Sequence, residues 1–330
     1  MNAGVRRGFM LIARFYHAAA ATWVVLLAVV LASMSAPAVA GEPAASLPHQ
    51  GRRSFMAEVS APGQSAVQLY VEEVGAGPPL ILIHGMGGSA YSWRRMIPGL
   101  AQHHRVFAID LKGFGRSAKP FDSYYAPADQ AALIANFMRR RGLSNATVVG
   151  HSFGGAVALS LALGLNRTAP GRIGRLVLMN APAYPQPIPF KQKFLTLPFV
   201  PYVALAAIPP IFTARAGLQS SYHGTSHVTD HDVGVYADPL HEAGGRHALV
   251  MTMRRIEAIA ATGIVENYAV LRMPALLIWC RADPVVPLAT GQRLAKALPH
   301  ARLAVIERCD HTPAEEAPAE TLALIRNFRR

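Results

Sequence analysis

Gly150-His151-Ser152-Phe153-Gly154 follows the pattern G-x-S-x-G and lies between an apolar run, Thr147 to Val149, and an Ala/Leu-rich stretch, Gly155 to Leu163. Glycines on both sides of a serine leave room for a sharp strand-to-helix turn that points the hydroxyl out over the edge of a sheet. In that setting Ser152 is a candidate nucleophile, and the helix start beneath it favours developing negative charge. The plainer reading of the segment is a structural turn. A serine hydroxyl is a poor nucleophile near neutral pH and needs a base beside it. His311 follows the last apolar run, Leu303 to Ile306, and precedes a predicted terminal helix from Thr312, which puts it at the same sheet edge as Ser152. His103, His104, His223, His227, His231, His241 and His247 fall at helix ends or in an irregular stretch, where solvated or capping roles are expected. His151 is expected to pack or hydrogen-bond locally, its side chain directed away from that of Ser152.

A histidine base needs a carboxylate to hold it in one tautomer. Asp283, in Arg281-Ala282-Asp283-Pro284-Val285-Val286-Pro287, follows the apolar run Ala275 to Trp279 and completes the chain order Ser, Asp, His. Asp310 is the rival, although adjacent side chains on one loop rarely meet in the needed geometry, which leaves it a capping or loop-shaping role. Charge on an attacked carbonyl oxygen calls for N–H donors already in place. His84-Gly85-Met86-Gly87-Gly88-Ser89 follows the run Leu80 to Ile83, and the backbone N–H groups of Met86 and Phe153 are the candidate oxyanion pair. The alternative for this segment is a simple Gly-rich turn; a phosphate cradle would need the Walker spacing and a following lysine, and both are missing.

These residues need a scaffold that brings several chain turns to one edge. Phe55 to Ser60 and Val67 to Val74, separated by Ala61-Pro62-Gly63, read as an opening hairpin. Six short apolar runs then alternate with helical stretches: Leu80 to Ile83, Val106 to Ile109, Thr147 to Val149, Leu176 to Met179, Ala275 to Trp279 and Leu303 to Ile306. Short apolar runs of this kind suit a parallel sheet buried on both faces, so the class is α/β. The alternation stops between residues 184 and 268, where Pro185, Pro187, Pro189, Pro198, Pro201, Pro209 and Pro210 surround an apolar core, Phe199 to Ala207, followed by helix-like pieces around Thr229 and from Arg246 to Ala261. The expected division is a core of residues 41–183 and 269–330 with an insertion at 184–268, which is either a lid over an acyl pocket or extra packed helices.

Residues 1–40 read differently. Arg6, Arg7 and Arg14 precede an apolar run from Ala18 to Ala32, and Ala38-Val39-Ala40 supplies a small-x-small site before Gly41. The pattern is that of a secretory signal peptide, by the general route or, given the Arg6-Arg7 pair, the twin-arginine one. It implies an exported, periplasmic or secreted protein; an uncleaved N-terminal membrane anchor is the alternative, although the run is short for a bilayer span. The net charge is +13, and beyond residue 40 there remain 29 basic residues against 19 acidic. Most are scattered arginines, which argues for a diffuse basic surface and against a nucleic-acid stripe, with weak contact to an anionic membrane surface as the further option. The two cysteines, Cys280 and Cys309, are either a disulfide in an oxidising compartment or two small buried residues.

From about Phe55 onward the chain resembles the α/β-hydrolase superfamily. The resemblance is carried by His84-Gly85-x-Gly87-Gly88, Asp110-Leu111-Lys112-Gly113-Phe114-Gly115-Arg116-Ser117, Gly150-His151-Ser152-Phe153-Gly154-Gly155, Asp283-Pro284-x-Val286-Pro287 and the His311 loop. It implies an eight-stranded, mostly parallel sheet flanked by helices, with a helical cap, and hydrolysis through an acyl-enzyme with no cofactor and no metal. Two positions depart from the family pattern: Cys280 stands where a glycine is usual before the acid, and Asp310 where one is usual before the histidine. Relatives of this kind that open halides and epoxides use an aspartate where this chain has Ser152, which disfavours those activities. Serine members that cut carbon–carbon bonds in aromatic catabolism are typically cytosolic, and the export signal points away from them. The expectation is a carboxylic-ester hydrolase for a small apolar ester; thioester, amide and carbon–carbon hydrolysis share the same residues, and an idle fold used as a binding module is the reading from another class.

Overall fold

The computed structural model describes residues 51–185, 197–222, 228–256 and 264–328. The expected signal segment, Pro187, Pro189, His223, His227 and the last part of the helix expected through Ala261 lie outside them. Eight strands form one sheet in the order β1-β2-β4-β3-β5-β6-β7-β8. They are β1 Arg53–Val59, β2 Val67–Val74, β3 Pro79–Ile83, β4 Arg105–Ile109, β5 Ala146–His151, β6 Ile173–Met179, β7 Ala275–Cys280 and β8 Ala301–Ile306. Pairing is antiparallel at β1–β2 and β2–β4 and parallel from β4 to β8. The helices are α1 Ile97–Leu100, α2 Pro127–Arg140, α3 Phe153–Thr168, α4 Val200–Ala207, α5 Pro210–Gln219, α6 Asp230–Ala237, α7 Ala243–Ile256, α8 Leu288–Ala297, α9 Pro313–Glu316 and α10 Pro318–Asn327.

The alternation along the strands explains why the central ones are apolar throughout. Ile81, Ile83, Phe107, Ile109 and Val148 point into one core with residues of α2 and α3, while Leu80, Leu82, Val106, Ala108 and Val149 point into the other with Trp93 and Leu100. A strand covered on both faces has no polar side to show. Each large aliphatic or aromatic side chain so buried contributes on the order of 1.5–3 kcal/mol. β1, at the sheet edge, alternates exposed and half-buried residues, which is why its polar start at Arg53 escaped an apolar-run reading.

Strand order decides where a site can form. After β4 the chain returns across β3 to place β5 on its other side, so β3 and β5 pair side by side while the chain leaves their carboxyl ends in opposite directions along the sheet. Ligands in open α/β sheets bind at such a switch point. Because β3 and β5 to β8 are parallel, the turns after Ile83, His151, Met179, Cys280 and Ile306 all emerge at that same edge.

Two expectations are corrected. The helix after Ser152 begins at Phe153 and runs to Thr168, longer at both ends than the Ala/Leu-rich stretch; its first turn takes in Gly154 and Gly155, where a Cβ would collide with Ile83 and Ala181. The single terminal helix from Thr312 is two, α9 and α10, since Pro318 cannot donate an intrahelical bond and opens a new first turn instead. The segment between β6 and β7 carries α4 to α7 and forms two small apolar clusters of its own. One joins Leu205, Val250 and Met253 with Tyr202, Leu249 and Met86 of the main body; the other joins Ala214, Leu218, Tyr222, Val233 and Ala237. Among the described residues no helix is long and apolar enough to cross a membrane.

Candidate active site

Ser152 sits between β5 and α3 with φ 50° and ψ −123°, a positive-φ conformation outside the left-handed helical well that a non-glycine residue adopts only when its surroundings impose it. The constraint comes from both sides. The Ser152 N–H donates to the Met179 carbonyl at 2.9 Å, and the turn is too tight for side chains at its flanks. A Cβ on Gly154 would lie 2.3 Å from the Ile83 carbonyl oxygen, and one on Gly150 would lie 2.3 Å from that of Gly154. The two glycines are therefore what lets α3 start against β3.

His311 and Asp283 meet Ser152 there, brought by turns 159 and 131 positions further along the chain. His311 Nε2 lies 2.9 Å from Ser152 Oγ, and its Nδ1 lies 2.9 and 3.1 Å from the two Asp283 carboxylate oxygens. The carboxylate can only accept, so Nδ1–H donates to it and Nε2 is left to accept the serine O–H. Asp283 is nearly fully buried, and its charge is met from several directions. Oδ1 accepts the Val285 and Val286 N–H groups at 2.7 and 2.8 Å, and Oδ2 accepts the Asn180 side-chain amide. The Trp279 indole N–H in turn donates to the Val286 carbonyl at 2.9 Å and holds this loop on the end of β7. The carboxylate on the His311 ring is that of Asp283, and Asp310, its rival, has its backbone N–H on Glu316.

The Gly-rich segment after β3 forms a turn closed by the Gly88 N–H on the Gly85 carbonyl at 3.1 Å. Gly87 takes φ +75° at its third position, a place where glycine carries no Cβ cost. Met86 is the second residue of the turn, next to Gly85, where a Cβ would lie 3.2 Å from Ser152 Cβ, and Phe153 heads α3. His84 anchors this segment. Its Nδ1–H donates to the Gly85 carbonyl at 2.7 Å and its Nε2 accepts the Leu111 N–H at 2.9 Å; burial holds the ring well below the usual histidine range, at about 4, so it stays neutral. Asp110 braces the other end by accepting the Ala90 and Arg116 N–H groups at 2.6 and 2.8 Å, with burial pushing its carboxyl up to about 6 against those bonds.

Several groups were missed or misjudged in the sequence. Asn180, at the end of β6 and fully buried with φ 48°, touches the Asp283 carboxylate; its one visible signal was its place after an apolar strand. His151 bonds far from its own turn, donating from Nε2 to the His311 carbonyl at 2.7 Å. Burial and the neighbouring His311 ring hold it down at about 3, so it acts as a neutral donor. His247 is not a solvated residue of the insertion: it contacts the Tyr202 hydroxyl at 3.1 Å and the Asp122 carbonyl at 2.7 Å, tying α7 to α4 and to the main body. A second tie runs through Arg94, paired with Asp232 of α6 at 2.7 Å and with Glu315 of α9, while the Tyr236 hydroxyl donates to Glu315 at 2.6 Å.

Cys280 and Cys309 form a disulfide, with Cα atoms 5.1 Å apart. The departure from glycine at position 280 thus has a structural reason: the end of β7 is stapled to the residue two before His311. Cys280, Cys309 and Glu316 are grouped closely enough for a metal, but the bridged sulfurs are not the thiolates a metal would take.

Residues 78–318 match the model of the alpha/beta hydrolase fold family. The chain is 27% identical over 274 residues to a 2-hydroxy-6-oxo-2,4-heptadienoate hydrolase of Pseudomonas putida, covering 79% of this chain and 92% of that protein. It is 30% identical over 264 residues to a protein of Caulobacter sp. (strain K31) named as a carbamate hydrolase, covering 78% and 94%. Among solved structures, a meta-cleavage product hydrolase from Pseudomonas fluorescens IP01 superposes with a TM-score of 0.69 at 29% identity, covering 82% of this chain and 96% of that one.

Proposed function

The chain belongs to the alpha/beta hydrolase fold family, and on that premise we propose that it is a serine hydrolase that cleaves carboxylic esters through an acyl-enzyme. The observation that carries this reading is the unbroken hydrogen-bond chain from Ser152 Oγ through His311 to Asp283 at the carboxyl ends of parallel strands. In the proposed reaction Ser152 Oγ attacks the ester carbonyl carbon while His311 Nε2 takes its proton, and Asp283 stabilises the resulting imidazolium. The Met86 and Phe153 N–H groups receive the negative oxygen. Collapse breaks the bond to the leaving oxygen, which takes the proton from His311, and water repeats the sequence to release the acid. Leu205, Val250 and Met253, packed against Met86, favour an apolar group beside the reacting carbonyl and support a lid role for the insertion at 184–268.

Carbon–carbon bond hydrolysis is the second reading, favoured by the names of the Pseudomonas relatives. It asks for more than the ester reaction does, because a carbon leaving group must be stabilised by protonation at a distant position, whereas the ester route asks only that His311 Nε2 return the serine proton to the departing alkoxide. A panel of p-nitrophenyl esters of graded acyl length, run beside a 2-hydroxy-6-oxodienoate, separates the two. Ester turnover is expected to exceed dienoate turnover in kcat/KM by at least about 100-fold, the scale of a site built for one leaving group. The opposite order transfers the assignment to carbon–carbon hydrolysis.

We also infer export. The pattern of residues 1–40 and the Cys280–Cys309 bridge support it together, since disulfides persist in oxidising compartments. Mass spectrometry of the protein expressed in a bacterial host should find a mature N-terminus at Gly41; a chain retained from Met1 would assign the segment to a membrane anchor instead.

A further inference from the structure

One carboxylate gathers the backbone that carries His311. Glu316 Oε1 accepts the N–H groups of His311 at 3.1 Å and Thr312 at 2.7 Å and the Thr312 hydroxyl at 3.0 Å, while Oε2 accepts the Asp310 N–H at 3.1 Å. Three consecutive amides ahead of a helix have no intrahelical acceptor of their own. The Thr312 hydroxyl does not cap α9; the last residue of that short helix reaches back to do so with a full charge, and charge-assisted bonds are the stronger kind. From the opposite direction, His151 Nε2–H donates to the His311 carbonyl, and the disulfide holds Cys309 immediately upstream. The main chain at His311 is thereby gripped on its N–H side and on its C=O side.

We propose that Glu316 is a positioning residue for the general base: by fixing the 310–312 backbone it sets where the His311 imidazole stands between Ser152 and Asp283. The proposal rests on reading His311 as that base. Glu316 touches neither substrate nor reacting atoms in this role, so its removal acts on the chemical step through geometry, and a misplacement of about 1 Å is worth about 100-fold in rate.

Glu316→Gln keeps the shape but leaves one acceptor oxygen where four donors converge, and it turns an N–H₂ toward an amide N–H. Its kcat is expected to fall about 10- to 100-fold with KM nearly unchanged, and fluorophosphonate labelling of Ser152 to slow by the same factor. Glu307→Gln is the charge control, since Glu307 is an exposed carboxylate paired with Arg281, and it should keep wild-type kcat. A Glu316→Gln enzyme as fast as wild type overturns the proposal, as does an equal loss in Glu307→Gln. Amide hydrogen exchange supplies a readout that needs no activity. In the wild-type chain the Asp310, His311 and Thr312 amides should be protected like strand amides and lose about tenfold or more of that protection in Glu316→Gln. Rapid exchange at these amides in the wild type overturns the proposal even if the variant does not fold. If the wild type instead proves inert to esters and probes, the hydrolase reading fails, while the exchange result still decides whether Glu316 holds the loop.

Discussion

Replacing Ser152 by Ala is expected to lower turnover of a chromogenic ester by about 10⁶-fold and to abolish labelling by a fluorophosphonate probe, with KM and melting temperature close to wild type. The size follows from the reaction. Without Oγ no acyl-enzyme forms, and what remains is the positioning of water and carbonyl by the other groups. Little loss of stability is expected, because the turn at φ 50° is imposed by the close approach of Gly150 and Gly154 and by the Ser152 N–H bond to Met179, all of which the variant keeps. Steady-state kinetics and intact-mass labelling check the result. Undiminished turnover in this variant would sink the assignment of Ser152 and with it the acyl-enzyme route.

Asp283→Asn is expected to reduce kcat by about 10⁴-fold while leaving the fold intact. The carboxylate now accepts from His311 Nδ1, from the Val285 and Val286 amides and from the Asn180 side chain. An amide in its place keeps one oxygen for the backbone donors and turns an N–H₂ toward the ring. The imidazole then settles with Nδ1 as acceptor and Nε2 protonated, and a protonated Nε2 cannot take the serine proton. Asp310→Asn, by contrast, should cost less than about tenfold, because the His311 ring faces Asp283 and geometry comes before pKa in naming a partner. Rates measured in parallel decide the matter: the reverse order would hand the orienting role to Asp310.

The two variants also mark how far the chain can be read before it is folded. Ser152 was legible because its neighbours are local; strand, glycine and helix lie within a few positions of it. His311 was legible through its place after the last apolar run. Asp283 had to be argued against Asp310, since sequence proximity and spatial proximity pull in opposite directions there, and the ring of His311 turns to the residue 28 positions away. The opening hairpin and the six apolar runs were legible for a related reason: strands covered on both faces have no choice but to be apolar, and their boundaries shifted by a few residues at the ends, as at Arg53, His151, Ile173 and Ala301.

The groups that support the triad were not legible in this way. Asn180, His151 and Glu316 are ordinary polar residues in the sequence. Each acquires its task only when the carboxyl ends of β5, β6, β7 and β8 come to one edge, and each then serves a partner from another part of the chain or a main-chain group. The disulfide belongs here too, because a pair of cysteines 29 positions apart states no distance until β7 and β8 pair and bring their Cα atoms within 5.1 Å.

Local sequence by itself determined the α/β class, the strained serine turn and the candidate identities of nucleophile and base, because hydrophobic period, glycine spacing and turn chemistry act over a few residues. The tertiary structure alone decided which carboxylate faces the imidazole, what holds that carboxylate and that imidazole in place, and which side chains of the insertion reach Met86. Those are relations between distant segments, set by strand order and register at the switch point between β3 and β5.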